Sequence, residues 1–201
     1  MNLYMIRHGE TTLNKKKVYY GSTDCPLTET GEAQARSLRP FFEPMALDAV
    51  WVSPLKRAAD TAALALGENG APRETDRRLA EVAFGGWEGK TWRELKDDAL
   101  FQRWCDDWRF TVPPGGESFD DLARRVRRFY EERVLAFEGE RALVVAHHAV
   151  LRQLMVCLLD AAPEAFWRFS FGQGTYSVCD INDGYAVLTG HNLRPLGGEA
   201  L

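Results

Sequence analysis

Leu3-Tyr4-Met5-Ile6-Arg7-His8-Gly9-Glu10-Thr11 is the stretch whose reading decides the fold of this chain. Four apolar residues run straight into an arginine, a histidine and a glycine. A short unbroken apolar run closed by glycine reads as a buried strand of a parallel sheet. In open α/β sheets, ligands bind just beyond the carboxyl ends of the strands, and Arg7 and His8 fall at that place.

Two further segments repeat the pattern. Residues 49–52 form a short apolar strand that ends in Ser53-Pro54-Leu55-Lys56-Arg57, and residues 143–146 form another that ends in His147-His148. If these strands are parallel neighbours, Arg7, His8, Arg57 and His147 meet around one cleft. Three of the four histidines stand at such strand ends, a placement that packing does not require.

The intervening segments read as follows. Residues 8–27 form a polar loop. Thr28 caps a helix with Glu29 and Glu32 in its first turn, and its apolar face runs Ala35, Leu38, Phe41 and Phe42 up to Pro44. Pro54 is expected at or near the first position of a second helix. That helix buries Leu55, Ala58, Ala59, Ala62 and Leu66 and closes at residues 67–70. From Trp87 to Phe110 the composition changes: Trp87, Trp92, Trp104 and Trp108 fall among many charges. This reads as a helical insertion over the sheet edge, ended by Pro113-Pro114-Gly115-Gly116. Ser118 then caps a long helix with apolar positions Leu122, Val126, Phe129 and Phe137. A helix through Leu159 follows the third strand, and residues 176–181 and 185–188 form a hairpin turning at Asn182-Asp183-Gly184. The expected fold is α/β: a mostly parallel open sheet with helices on both faces. We expect a single domain over residues 1–201, with a small helical cap insertion at about 87–116.

Composition narrows the function. With 201 residues, 45% hydrophobic and 27% charged, the chain has ample material for a core. A formal net charge of −4 carries no basic surplus for nucleic acid. The early cluster Arg7, Lys15, Lys16, Lys17 makes one end locally basic, which suits a small anionic ligand. The four cysteines, Cys25, Cys105, Cys157 and Cys179, have no zinc spacing, and Cys157 reads as a small buried hydrophobe. No apolar segment is long enough to span a bilayer. A strand starting at residue 2 or 3 leaves no room for a leader, so the expected setting is the reducing cytoplasm. Expected partners are small molecules, with neither nucleic acid nor membrane; a homodimer is admitted.

Two guanidiniums with two imidazoles describe a phosphate site. Arginine stays charged and offers a planar fork of donors that matches phosphate oxygens. Neutral histidine is a competent nucleophile toward phosphorus, and a second histidine can donate to the charged oxygens of the transition state. Glu81, just ahead of Gly85-Gly86, is the best acid for the leaving alkoxide. Burial near Trp87 would favour its protonated form and the arginines would oppose it; the sequence leaves the balance open. Carboxylates are not clustered at metal-ligand spacing, so neither metal nor cofactor is expected. Each signal alone has a plainer explanation. Arg-His-Gly can be a strand-end turn, Arg57 a solvated helix residue, His147 a satisfied core histidine, Glu81 a surface acid and the tryptophans local core. Their order, each at a strand end, favours the site.

These residues resemble the signature of the histidine phosphatase (phosphoglycerate mutase-like) superfamily. Arg7-His8-Gly9-Glu10-Thr11 with Asn14 carries the resemblance first. Asp24-Cys25-Pro26-Leu27-Thr28, Ser53-Pro54-Leu55-Lys56-Arg57-Ala58, Leu79-Ala80-Glu81, Phe84-Gly85-Gly86-Trp87-Glu88-Gly89 and Val145-Ala146-His147 follow in order. The resemblance implies a phosphorylated nucleophile at His8, a phosphate pocket lined by Arg7, Asn14, Arg57 and His147, and Glu81 as proton donor and later base. Gly21, Ser22 and His148 are expected to contact substrate. Trp104-Cys105, Trp108, Val112-Pro113, Gly116-Glu117, Phe166-Trp167-Arg168-Phe169 and Gln173-Gly174 resemble the α-ribazole phosphatase branch. That branch removes the 5′-phosphate of α-ribazole or its cobalamin-linked form during nucleotide-loop assembly. A phosphoglycerate mutase or sugar bisphosphatase would share the pocket, and an inactive phospholigand-binding protein is the third reading. Two positions depart from the family: Val18 stands where many relatives carry arginine, and His148-Ala149 replaces a common Gly-Gly. His148 either narrows the pocket or adds a donor, or else it is scaffold with its side chain turned aside.

Overall fold

A computed structural model describes residues 1–195. Its six strands form one sheet in the order β3-β2-β4-β1-β5-β6. These are β1 (Asn2–Arg7), β2 (Ala49–Val52), β3 (Arg73–Thr75), β4 (Arg141–Ala146), β5 (Tyr176–Asn182) and β6 (Tyr185–Leu193). β1, β4, β2 and β3 are mutually parallel; β5 and β6 are antiparallel additions at the β1 edge. The expected mostly parallel sheet is therefore observed.

Side-chain alternation splits the core in two. Leu3, Met5, Ala142, Val144 and Trp51 face one side, where α7 (Phe119–Phe129) and α8 (His148–Leu158) pack. Ile6, Leu143, Val145, Val50 and Val52 face the other, under α2 (Glu29–Ser37), α3 (Arg39–Phe42) and α4 (Lys56–Leu66). The chain leaves β1 toward one face and leaves β4 toward the other. β1 and β4 are adjacent, so a crevice opens between their carboxyl ends, the place where open α/β sheets bind ligands.

Several boundaries differ from expectation. Within the segment read as loop, α1 (Thr12–Lys16) forms; it buries no residue and so leaves no apolar period. Its marks are local: Thr11 and Asn14 cap each other reciprocally, and Lys17 closes it at φ 53°. The helix after Thr28 breaks at Leu38, because Pro40 lies in the first turn of α3 and has no N–H to continue the ladder. α4 begins at Lys56, not Pro54: the Ser53 hydroxyl accepts from Leu55 N, so a turn precedes the helix. Ala59 is exposed, and Arg57 and Thr61 join Ala58, Ala62, Ala65 and Leu66 on the buried stripe. Exposed β3 lacked any apolar alternation to read. α7 passes into a π-helical turn, Tyr130–Val134, and Phe137 lies beyond it, edge-on to Trp51. Segment 87–116 holds α5 (Trp92–Leu95) and α6 (Ala99–Asp106). Its Trp87, Phe101 and Trp104 merge with Phe119 of α7 in the main core and cover Tyr19 and Phe84. The hairpin turn is as read: Asp183 and Gly184 both adopt positive φ, as a two-residue loop between twisted strands needs.

Candidate active site

Strand register builds the site. Arg7 pairs with Ala146 across β1 and β4, so the next residues, His8 and His147, emerge side by side. Their ring centroids lie 5.1 Å apart. His8 N donates to Ala146 O at 3.0 Å, and Ser53 N donates to Val145 O at 3.0 Å, which brings the end of β2 to the same crevice.

Hydrogen bonds decide the state of each imidazole. His8 Nδ1 lies 2.7 Å from the Gly9 carbonyl, which can only accept. Nδ1 therefore carries the proton, and Nε2 keeps its lone pair. Gly9 is held in turn: its N–H donates to Thr61 Oγ1 at 3.0 Å, and Thr61 Oγ1 donates to Arg57 O at 2.7 Å. Arg57 Nε can only donate, and at 3.3 Å it donates to His147 Nδ1. His147 Nε2 then carries its proton, donated to Ser53 Oγ at 2.6 Å. Burial, then Arg7 and Arg57, hold His8 well below the ordinary histidine value, and burial, then His8 and Arg57, do the same to His147. Both rings are neutral at neutral pH.

Arg57 is fully buried, with Nη1 donating to Thr23 O at 3.0 Å and Nη2 to Gly21 O at 2.6 Å. A Cβ on Gly21 would stand 1.7 Å from the Val82 carbonyl, so only glycine permits this approach. Arg7 is anchored by one bond, Nη1 to Phe171 O at 2.9 Å, while its Nε is buried without a partner among the described residues. A buried guanidinium donor left unpaired points to an anion as its missing partner. Asn14 Oδ1 accepts from Thr11 N and Oγ1 and from Gln173 Nε2, and its amide NH2 has no partner among the described residues.

Arg7, His8, Asn14, Arg57 and Glu81 line one cavity of about 150 Å³, with Val18, Tyr19, Tyr20 and Phe84. Glu81 Oε1 accepts from Val82 N at 3.0 Å and Oε2 from Ala149 N at 3.2 Å, in the first turn of α8. Glu81, Tyr19 and Phe84 also line a second, aromatic cavity of about 330 Å³, completed by Trp104, Phe119, His148, Arg152, Phe166 and Trp167. His147, expected to line the phosphate pocket, is fully buried and lines neither cavity; it reaches the site through Arg57 Nε, while His148 lines the second cavity. Gly21 and Ser22 line neither: Gly21 serves Arg57, and Ser22 N and Oγ donate to Glu88 at 2.9 Å. Glu88 also takes Thr23 N and Phe84 N, tying the two loops together. Burial raises the Glu88 carboxyl, but the bonds from Thr23 and Ser22 outweigh it and hold it at about 2.

Thr61, Tyr20, Glu88 and Arg152 were not singled out from sequence. Arg152 had a signal: with Gln153 it interrupts the most apolar helix of the chain. Thr61 and Tyr20 had none, since their role comes from contacts 52 and 9 residues away.

Comparison with known proteins places the chain in a family. The chain is 38% identical over 202 residues to an adenosylcobalamin/alpha-ribazole phosphatase of Escherichia coli (strain K12), covering 99% of each. It superposes on the crystal structure of the alpha-ribazole phosphatase from Shigella flexneri with a TM-score of 0.93 at 35% identity, covering 100% of both chains. A 2,3-bisphosphoglycerate-dependent phosphoglycerate mutase of Bradyrhizobium diazoefficiens is 34% identical, over 90% of this chain and 91% of its own. The family model of the histidine phosphatase superfamily (branch 1) matches residues 3–194, and the chain belongs to that family.

Proposed function

We propose that this protein is a phosphomonoesterase that works without a metal ion through a phosphohistidine at His8. Its substrate in this reading is α-ribazole 5′-phosphate, or the adenosylcobalamin-linked form, in cobalamin nucleotide-loop assembly. The observation that carries the proposal is the pairing of two cavities across one carboxyl group. On one side of Glu81 lie the unpaired Arg7 Nε and the His8 imidazole; on the other lies an aromatic chamber. A phosphate bound in the first places its ester oxygen at Glu81 and its leaving group among Trp104, Phe119 and Trp167.

The chemistry follows from the assigned protons. His8 Nε2 attacks phosphorus while the bond to the ester oxygen breaks, and protonated Glu81 gives its proton to the departing alkoxide. Arg7, Arg57 and the Asn14 amide meet the charge on the phosphoryl oxygens. His147 enters by orienting Arg57 through Nδ1. A water then attacks phosphorus, the Glu81 carboxylate takes its proton, the P–N bond breaks and inorganic phosphate leaves. The segment 87–116 acts as a cap over the leaving-group chamber. A net charge of −4 and four unpaired cysteines support a small-molecule enzyme of the cytoplasm.

A panel of phosphomonoesters assayed in chelator tests this reading. The highest kcat/KM belongs to α-ribazole 5′-phosphate, with phosphate released to water. A larger kcat/KM for 3-phosphoglycerate or sugar phosphates, or phosphate retained and returned to substrate, overturns it in favour of the mutase or sugar phosphatase reading. Tight phosphate binding without turnover of any ester favours the inactive binding protein.

A further inference from the structure

The leaving-group chamber is aromatic, but its polar edge is built from donors. Arg152 Nε donates to Phe169 O at 2.7 Å, and its guanidinium carbon sits 5.6 Å from the Phe166 ring centroid and 5.2 Å from that of Trp167. Nothing among the described residues takes its two Nη groups, and neither is sealed in protein. His148 is fixed in the same way. Phe171 N donates to His148 Nε2 at 3.3 Å, so Nε2 is unprotonated and Nδ1 carries the hydrogen. Burial, then Arg7 and Arg152, pull His148 down to about 3, so the ring stays neutral and the tautomer holds. Nδ1 has no protein partner among the described residues. Residues 169–171 thus anchor Arg152, His148 and Arg7 together, the first two in the chamber and the third in the phosphate cavity.

We infer that Arg152 and His148 form a donor pair that reads acceptor oxygens on the leaving group, selecting esters whose alcohol is an oxygen-rich ring over bare alkyl or aryl alcohols. The inference rests on the proposed phosphomonoesterase activity and deepens it. The planar guanidinium, held beside two aromatic rings, keeps its edge donors in one plane, a geometry suited to two neighbouring hydroxyls. The His148 Nδ1–H adds a further donor. Glu81 stands between this pair and the phosphate cavity, so the oxygens read are those close to the ester bond. A purely apolar alcohol would leave the Nη groups stripped of water and unpaired, which costs affinity.

The experiment compares methyl phosphate, ribose 5-phosphate and α-ribazole 5′-phosphate on the wild type, Arg152→Met and His148→Phe. In wild type, ribose 5-phosphate exceeds methyl phosphate in kcat/KM. Arg152→Met lowers that ratio about tenfold, chiefly through KM, as loss of a charged hydrogen bond does. His148→Phe lowers it about threefold, as loss of a neutral one does. Arg152→Lys, which keeps the charge without the fork, falls between and serves if Arg152→Met does not fold. A wild-type ratio near one, or a ratio unmoved in the variants, overturns the donor pair. Wild-type failure on α-ribazole 5′-phosphate alone overturns the substrate named above, while the ratio of the other two esters still judges the pair.

Discussion

His8 and His147 face each other at 5.1 Å between ring centroids, inclined by 55°, yet they hold their protons on opposite nitrogens. The Gly9 carbonyl puts the His8 proton on Nδ1; the Arg57 Nε–H puts the His147 proton on Nε2. One ring is left as a nucleophile and the other as a support. His8→Ala should abolish turnover and the labelled phosphoenzyme caught in an alkaline quench. His147→Ala should still form it, with kcat lower by about tenfold, because Arg57 Nε loses the acceptor that orients it. A phosphoenzyme in His8→Ala would disprove the nucleophile assignment.

Thr61 is the hidden support of that nucleophile. It accepts from Gly9 N and donates to Arg57 O, both buried. Thr61→Val keeps the shape and removes both bonds, leaving a buried N–H unpaired at a cost of about 1–3 kcal/mol. The expected outcome is a lower denaturation midpoint together with a lower kcat, because the Gly9 carbonyl no longer fixes the His8 ring. A normal kcat in a destabilised variant would reduce Thr61 to a packing role.

Stability should depend on pH through the three imidazoles. In the folded state His8 and His147 titrate well below the ordinary value and His148 at about 3. Above about pH 6.5 the histidines are neutral folded and unfolded, and they contribute no pH dependence. Below it the unfolded chain takes up protons that the folded chain refuses. Stability therefore falls with pH by about 1.4 kcal/mol per pH unit for each such histidine. Glu88, held at about 2, adds to the loss once pH drops below its ordinary value near 4.5. Urea midpoints measured across this range check the slope; a flat profile down to about pH 5 would contradict the neutral, buried histidines.

Much of this was legible from residue order because the site sits on strand ends. The three buried strands and their terminal Arg7, Arg57 and His147 follow from apolar runs and breakers, and the sheet order then makes them neighbours. Contacts at right angles to the chain were not legible. Ala59 and Arg57 stand two apart on one helix, and only packing against the loop at residues 21–23 shows that the arginine is the buried one. Helix α1 and strand β3 bury nothing, so they carried no hydrophobic period. His148 had two readings; it lines the aromatic cavity with Nε2 accepting from Phe171 N, the placement on which its donor role is proposed.

Gly31 tests how tightly the first turn of α2 presses on the His8 loop. A Cβ there would meet Glu10 O at 2.0 Å, and one on Gly9 would meet Gly31 O at 2.3 Å. Both clashes are with backbone, which cannot swing aside. Gly31→Ala should cost about 1–3 kcal/mol, as overpacking does, and lower kcat by displacing Gly9 from His8 Nδ1. Unchanged stability would show that the helix start can shift without moving the nucleophile.

Glu81 is assigned two jobs, and leaving-group chemistry separates them. Its carboxylate is held by Val82 N and Ala149 N at the border of the two cavities. Glu81→Gln keeps one of these two bonds through its single amide oxygen, and it can neither give nor take a proton. An alkyl ester such as α-ribazole 5′-phosphate needs its alkoxide protonated, so phosphoenzyme formation should slow by about 10²–10⁴-fold. For 4-nitrophenyl phosphate the leaving phenolate is stable without a proton, so the variant should form phosphoenzyme at near wild-type rate. Its hydrolysis still needs a base to activate water. The variant should therefore give a burst of nitrophenolate equal to one enzyme equivalent, followed by a slow steady state. Equal slowing of both esters with no burst would mean that Glu81 shapes the pocket and that another group moves the proton.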